Sequence, residues 1–355
     1  MTTQKRISVK QYAIILVVCG LFEQITWLPE LSMLNSPKDV ISVVLLAAVL
    51  QAALFVPLYW FLRQNTKVQG AAGKVAAALY GLYFLAAAVY ILFCGYLFLS
   101  RTVMPQTHGF VLLVLLLVSG CYVAARDTQA VVKTAAFFAT GSVIVIVLFF
   151  LLSLPQMEFT EIEFLPQNEG SVWTAAIHGA LRSQIAPVLL VLAAPHSKGK
   201  EHALLRSWGG IFALFLAVGA AVSAVLGVAA QMVLFPPFVQ ITTVQVCGIL
   251  QRMDVIWIAG WGMALLVVLG TLIHCGSVCL KYAAGKVWFA AYLILAGGAV
   301  AVYHCTGTER VQNVLRQSCL IPLIQLFFCF LLPCLLCCAR KFQQKCANTV
   351  QKGKK

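Results

Sequence analysis

The chain has 355 residues, of which 61% are hydrophobic and 10% charged, too little polar surface to clothe a water-soluble globule of this size. A formal net charge of +14 would point to nucleic acid in a soluble protein, but here the basic residues stand in short segments between apolar runs and read as topology signals, with no nucleic-acid partner expected. The 13 cysteines fall mainly in apolar runs, unlike a secreted disulfide framework, and read as free thiols.

A bilayer core of about 30 Å needs about 20 apolar residues per helix, and the chain offers ten such spans. They lie near 11–29, 40–62, 75–100, 109–125, 130–153, 174–194, 208–233, 254–280, 287–304 and 318–338. The start, Lys5-Arg6 before an apolar stretch from Tyr12, imitates a signal peptide. Because the run continues to Leu28 and ends at Pro29-Glu30 with no small-residue cleavage site, it reads as an uncleaved first span. Connections are short except 154–173 and 234–253, so the expected organisation is one transmembrane, transporter-like domain over 1–355 with a basic tail at 340–355.

Placing the N-terminus in the cytoplasm puts 19 of the 25 Lys and Arg residues inside. Only Lys38, Arg101, Arg252, Arg310 and Arg316 fall outside, and Arg182 falls within a span. Both termini are therefore expected inside. The loop with Glu158, Glu161, Glu163 and Glu169 has no Lys or Arg, as suits an external loop. Trp27, Trp173 and Trp257 near outer ends, and Trp60, Trp208 and Trp288 near inner ends, read as an interfacial aromatic belt.

Ten spans divide into two five-helix halves of opposite orientation, about 7–153 and 172–339. In inverted-repeat transporters the first helix of each half is interrupted near mid-membrane, where freed backbone groups bind substrate or ions. Span 1 carries Gly20, Glu23, Gln24 and then Pro29; span 6 carries Gly179, Arg182, Ser183, Gln184 and Pro187. The fold class read here is an all-α membrane protein with an inverted 5+5 repeat and broken spans 1 and 6. Ordinary Gly and Pro of membrane helices are the competing explanation.

Phe235-Pro236-Pro237-Phe238, Val244 through Ile249, and Arg252-Met253-Asp254 followed by Val255 through Trp261 resemble the endospore germination permease family. These are the B subunits of nutrient germinant receptors, in the amino acid/polyamine/organocation transporter superfamily. Ile7 through Gln11, Leu28-Pro29, Leu79 through Phe84 and Tyr122 through Thr134 are similar to further family segments, so the resemblance extends along nearly the whole chain. It implies a multi-pass subunit of the spore inner membrane or bacterial plasma membrane. Such a subunit senses a small nutrient, an amino acid by the family's habit, and signals to an A-type membrane subunit and a C-type lipoprotein. An amino acid or polyamine permease and a closed scaffold subunit are the alternatives. The chain departs from the family at Phe22, which stands where a mid-helix Gly is usual, at Asp127 in place of Gly, and at Gln129 in place of Glu. A bulky Phe22 would fill part of the ligand cavity.

The charged residues nearest mid-span are Glu23 and Arg182. A lone charge there costs about 2.5–3.5 kcal/mol on insertion scales, so each is expected to face a cavity or a partner. With Gly20, Phe22, Gln24, Tyr83, Gly179, Ser183 and Gln184 they form the expected ligand site. Arg252 and Asp254, two residues apart, do not share a helix face and suit a loop-anchoring or signalling role. Trp257 and Trp261, at i and i+4, either wall a pocket or anchor at the interface. His178 and His274 are relay candidates set against plain packing. Cys334, Cys337 and Cys338 suit S-acylation or packing better than metal binding, for which further ligands are lacking. There is no Walker loop, dinucleotide fingerprint, zinc-protease helix or Gly-x-Ser-x-Gly elbow, so neither catalysis nor a cofactor is expected.

Overall fold

The computed structural model describes residues 8–63, 71–161, 163, 169–181, 188, 200–244, 253–285, 288–305, 320–336 and 338. Among these, all regular structure is helical. The main elements are α1 (Val9–Thr26), α2 (Val40–Arg63), α3 (Ala71–Phe98), α4 (Gly109–Ala124), α5 (Thr128–Ser153), α6 (Glu169–Leu181), α7 (Lys200–Leu226), α8 (Pro236–Thr243), α9 (Asp254–Ala284), α10 (Trp288–Cys305) and α11 (Leu320–Leu326). A π-helical turn at Leu99–Val103 extends α3, and another at Phe327–Leu331 follows α11.

Six helices among the described residues are long and apolar enough to cross a membrane: those in 9–26, 37–59, 71–103, 128–156, 202–226 and 254–284. Their outward sides are apolar as well, with Val49, Val75, Leu82, Phe137 and Ile144 exposed, a surface that lipid rather than water can cover.

At the bundle's centre is α9, which packs on α3, α5, α4 and α1. Small residues let the backbones approach, as membrane helices require when lipid supplies no hydrophobic drive for association. A Cβ on Gly260 would fall 2.6 Å from a Val145 side-chain carbon, and one on Gly270 would fall 2.6 Å from Val123. Ser142 reinforces the α5–α9 contact, its hydroxyl donating to the Gly260 carbonyl at 2.9 Å.

The break expected in span 1 is corrected. Its helix is unbroken from Val9 to Thr26, so Gly20, Glu23 and Gln24 lie within regular helix rather than in an interruption. The N-terminus is closed by a capping box between Ser8 and Gln11. At the other end the Trp27 N–H bonds to the Glu23 carbonyl and the Thr26 hydroxyl donates to the Phe22 carbonyl at 2.6 Å, so polar groups near Glu23 reinforce the helix instead of opening it. The chain leaves the helix further on, at Leu28, whose φ of 45° is left-handed, with Pro29 opening a 3₁₀ turn. A bulky residue there is strained by about 1–3 kcal/mol and is held by complete burial of its side chain. The break expected in span 6 at Arg182 to Pro187 lies outside the described residues.

Span 7 is also shifted. Its helix begins at Lys200 and stops at Leu226, because Gly227 takes φ +50° and its N–H caps the Ser223 carbonyl, the glycine exit that ends many helices. The region after it holds only a short helix at Ala229–Met232.

One end of the bundle gathers the α1–α2 connection, the end of α5 and the end of α7. Ser223 donates to the Pro37 carbonyl, Gln231 to the Leu34 carbonyl, and the Glu158 N–H to the Ala224 carbonyl. Lys38 lies 3.7 Å from Glu161 and 3.9 Å from Glu163.

Candidate functional site

Glu23 and Gln24 stand on the last turn of α1 with their side chains inside the protein, Glu23 only 5% exposed. A buried polar atom without a partner costs about 1–3 kcal/mol, so groups of this kind mark either a ligand or a partner. The Gln24 Oε1 and the Tyr83 hydroxyl are buried with no hydrogen-bond partner among the described residues. Glu23 lies within electrostatic reach of Tyr83, which joins α1 and α3 in one polar region. The Tyr83 ring rests 4.5 Å from that of Phe328 in the π-turn, and the Tyr80 hydroxyl donates to the Phe328 carbonyl at 2.9 Å. The turn after α11 thereby becomes a wall of the region, and a π-turn inside an apolar helix is itself a frequent mark of function.

Phe22 is 1% exposed and packs 5.8 Å from Trp261, whose Nε1 donates to the Thr26 hydroxyl at 2.9 Å. Trp261 in turn lies 4.2 Å from Phe98, and Phe98 meets Phe235 and Phe238 edge-on. Trp27 stacks on Phe93 and meets Phe235 edge-on. This continuous aromatic block joins α1, α3, α8 and α9, and Phe22 fills space within it. The interfacial role expected for Trp27 and Trp257 is corrected: both are buried, Trp257 against Phe149, because α1 and α9 are interior helices flanked by others on most sides. Trp173, by contrast, is exposed.

Gly179 takes part in a different contact from the one expected. A Cβ there would lie 3.2 Å from Oε1 of Glu30, so the missing side chain admits the Glu30 carboxyl against α6. Glu30 is 0% exposed, and Asp39, at the start of α2, is equally buried. The buried formal charges among the described residues are the carboxylates Glu23, Glu30 and Asp39. The sequence reading passed over Glu30 and Asp39 because each sits within two residues of a proline at a segment end, where exposure is the usual expectation. It also passed over Gln51 and Gln325, single amides in long apolar runs, whose cost of burial in lipid was the available signal.

Gly20 is buried within α1. Arg182, Ser183, Gln184 and Arg252 lie outside the described residues, as do Cys337, the side chains of Trp60 and Trp288, and the tail at 340–355. Asp254 is the first residue of α9, where a carboxylate suits the helix N-terminus, and it is partly buried. His178 is buried on α6. His274 has one ring nitrogen 3.0 Å from the Thr128 hydroxyl and the other 3.0 Å from the Ala124 carbonyl, tying the α4–α5 junction to α9. The described cysteines are free.

These features define a multi-pass integral membrane protein with a polar region enclosed between helices. Its fold is similar to that of a Na⁺-coupled sialic acid symporter in a substrate-bound, outward-open state, which aligns over 91% of this chain and 77% of its own, with a TM-score of 0.59 and 13% sequence identity. A manganese transporter from Eremococcus coleocola, in complex with an aromatic bis-isothiourea compound, aligns over 94% of this chain and 77% of its own, with a TM-score of 0.48 and 13% identity. No family model matches the chain, and no curated protein matches it by sequence.

Proposed function

We propose that this protein binds a small amine-bearing solute, an amino acid or polyamine, in the polar region formed by Glu23 and Gln24 of α1 and Tyr83 of α3. The observation that carries the reading is the burial of Glu23 within electrostatic reach of the Tyr83 hydroxyl, which has no hydrogen-bond partner among the described residues, with the equally unpartnered Gln24 Oε1 buried on the same turn of α1. A carboxylate in a dry site suits an ammonium group, and the Gln24 oxygen adds a second acceptor for it. Arg182, by charge, is the counterpart for the solute's carboxylate. The ten-span inverted repeat with both termini inside is part of the same proposal, supported by the charge distribution and by the transporter fold.

Purified protein in detergent, screened for thermal stabilisation by a panel of amino acids and polyamines, tests this directly. One member is expected to stabilise it, and Glu23→Gln is expected to weaken that solute at least tenfold, about 1.4 kcal/mol, while the variant stays folded. A flat panel, or a variant that binds as the parent does, rejects the site.

A second reading is favoured by the Phe235 to Trp261 resemblance and by the Phe22-filled aromatic block: a germinant-receptor subunit that senses a nutrient without moving it. On this reading the protein co-purifies with an A-type subunit and a C-type lipoprotein, and its deletion blocks a nutrient response of dormant spores. A deletion that leaves every such response intact favours the permease.

A further inference from the structure

Between α2, α6 and α11 lies a narrow cleft with room for a single water-sized body, lined by Leu54 and Phe55, by Ala180 and Leu181, and by Gln325 and Phe330, among others. Besides the Cys329 thiol, its polar side chains are one that lines it and one that borders it. Gln325 lines it and is 4% exposed; Gln51, one turn before Leu54 and Phe55 on α2, is 2% exposed, and its Nε2 donates to the Ala180 carbonyl at 3.2 Å. The Oε1 atoms of both amides are sealed from water and have no hydrogen-bond partner among the described residues. An orphaned acceptor of this kind costs about 1–3 kcal/mol. Two of them, from helices far apart in sequence, at one small cleft in an apolar core, is an arrangement that packing alone would replace with Leu.

We propose that this cleft is a binding site for one small monovalent cation, read by the neutral oxygens of Gln325, which lines it, and Gln51, which borders it. The oxygens decide the sign of the ligand, since amide and carbonyl oxygens accept and a cation or an N–H donor is what completes them. The charge follows from what lines the cleft: no carboxylate does among the described residues, and divalent ions are held by carboxylates. Its size admits a bare ion or a single ammonium head. The Gln325 amide turns about its last torsion in a broad two-fold well, so a cation can draw its oxygen into the cleft. The π-turn that follows Gln325 also packs on Tyr80 and Tyr83, so occupancy of the cleft bears on the wall of the Glu23 region. The proposal does not rest on solute binding at Glu23.

The test uses the full chain in detergent, exchanged into choline chloride without any solute and titrated at constant ionic strength with sodium chloride or with methylammonium chloride while thermal unfolding is followed. At least one cation is expected to raise the melting temperature above the choline baseline. The half-saturating concentration should rise at least tenfold in both Gln325→Leu and Gln51→Leu, and Gln325→Leu should melt no lower than the parent in choline. A response to sodium identifies a bare ion; a response to methylammonium alone identifies the head of an organic amine. Gln325→Glu should tighten binding at least tenfold, and it decides the matter if the Leu variants fail to fold. Melting that is unchanged by either cation, a response that survives in the Leu variants, or no gain in Gln325→Glu overturns the site. Because no solute is present, these outcomes are independent of the Glu23 screen.

Discussion

Phe22 carries a larger share of the core than its position on an apolar helix would indicate. It is fully buried, it packs on Trp261, and its carbonyl takes the Thr26 hydroxyl that Trp261 itself bonds. Phe22→Ala should therefore cost about 3–5 kcal/mol, the usual range for emptying an aromatic site in a packed core, read as a lower melting temperature. If Phe22 also blocks the solute's access to Glu23, the same variant gains affinity in the amine panel. A variant as stable as the parent would mean that the aromatic block is loosely packed. His274 shows a related economy: both ring nitrogens are engaged within the protein, at the α4–α5 junction.

At the scale of elements, α9 depends on where its glycines lie and not on how many it has. Gly260 faces Val145 at a distance no Cβ can share, whereas Gly262, two residues on, would meet nothing within 4 Å. Gly260→Val should destabilise by about 1–3 kcal/mol through overpacking of the α5–α9 contact. Gly262→Ala should be neutral or stabilising by up to about 1 kcal/mol through helix propensity. Thermal unfolding of the two variants side by side checks this, and equal losses would show that α5 and α9 are not in close contact. The helix ends were legible where a glycine or proline acts locally, as at Pro29, but the stop at Gly227 was missed because the apolar run continues past it.

For the whole molecule, the test is topology. The segment holding Glu158 and Glu161 is bound at one end of the bundle through Lys38, the Thr160 carbonyl and the end of α7. The charge distribution predicts that this end faces outside. Glu158→Cys should react with a membrane-impermeant maleimide added to intact cells, and protection until the cells are opened would invert the orientation. Lys38→Met should change stability by no more than about 1 kcal/mol, since partly exposed ion pairs contribute little.

The sequence by itself determined the solvent of the protein and the rough position of its helices, because lipid exposure demands long apolar runs whose composition is visible residue by residue. It also marked Glu23, since a charge stands out against such runs, whereas Tyr83 was marked only through the family resemblance of its segment. Only the tertiary structure decided that α1 runs unbroken past Gly20, that Glu30 reaches Gly179, that Trp27 and Trp257 are interior, and that Gln325 lines a cleft that Gln51 borders. Each of these depends on which helix lies beside which, and in a chain that is apolar on nearly every face, the one-dimensional pattern holds almost no information about which face meets a neighbour and which meets lipid.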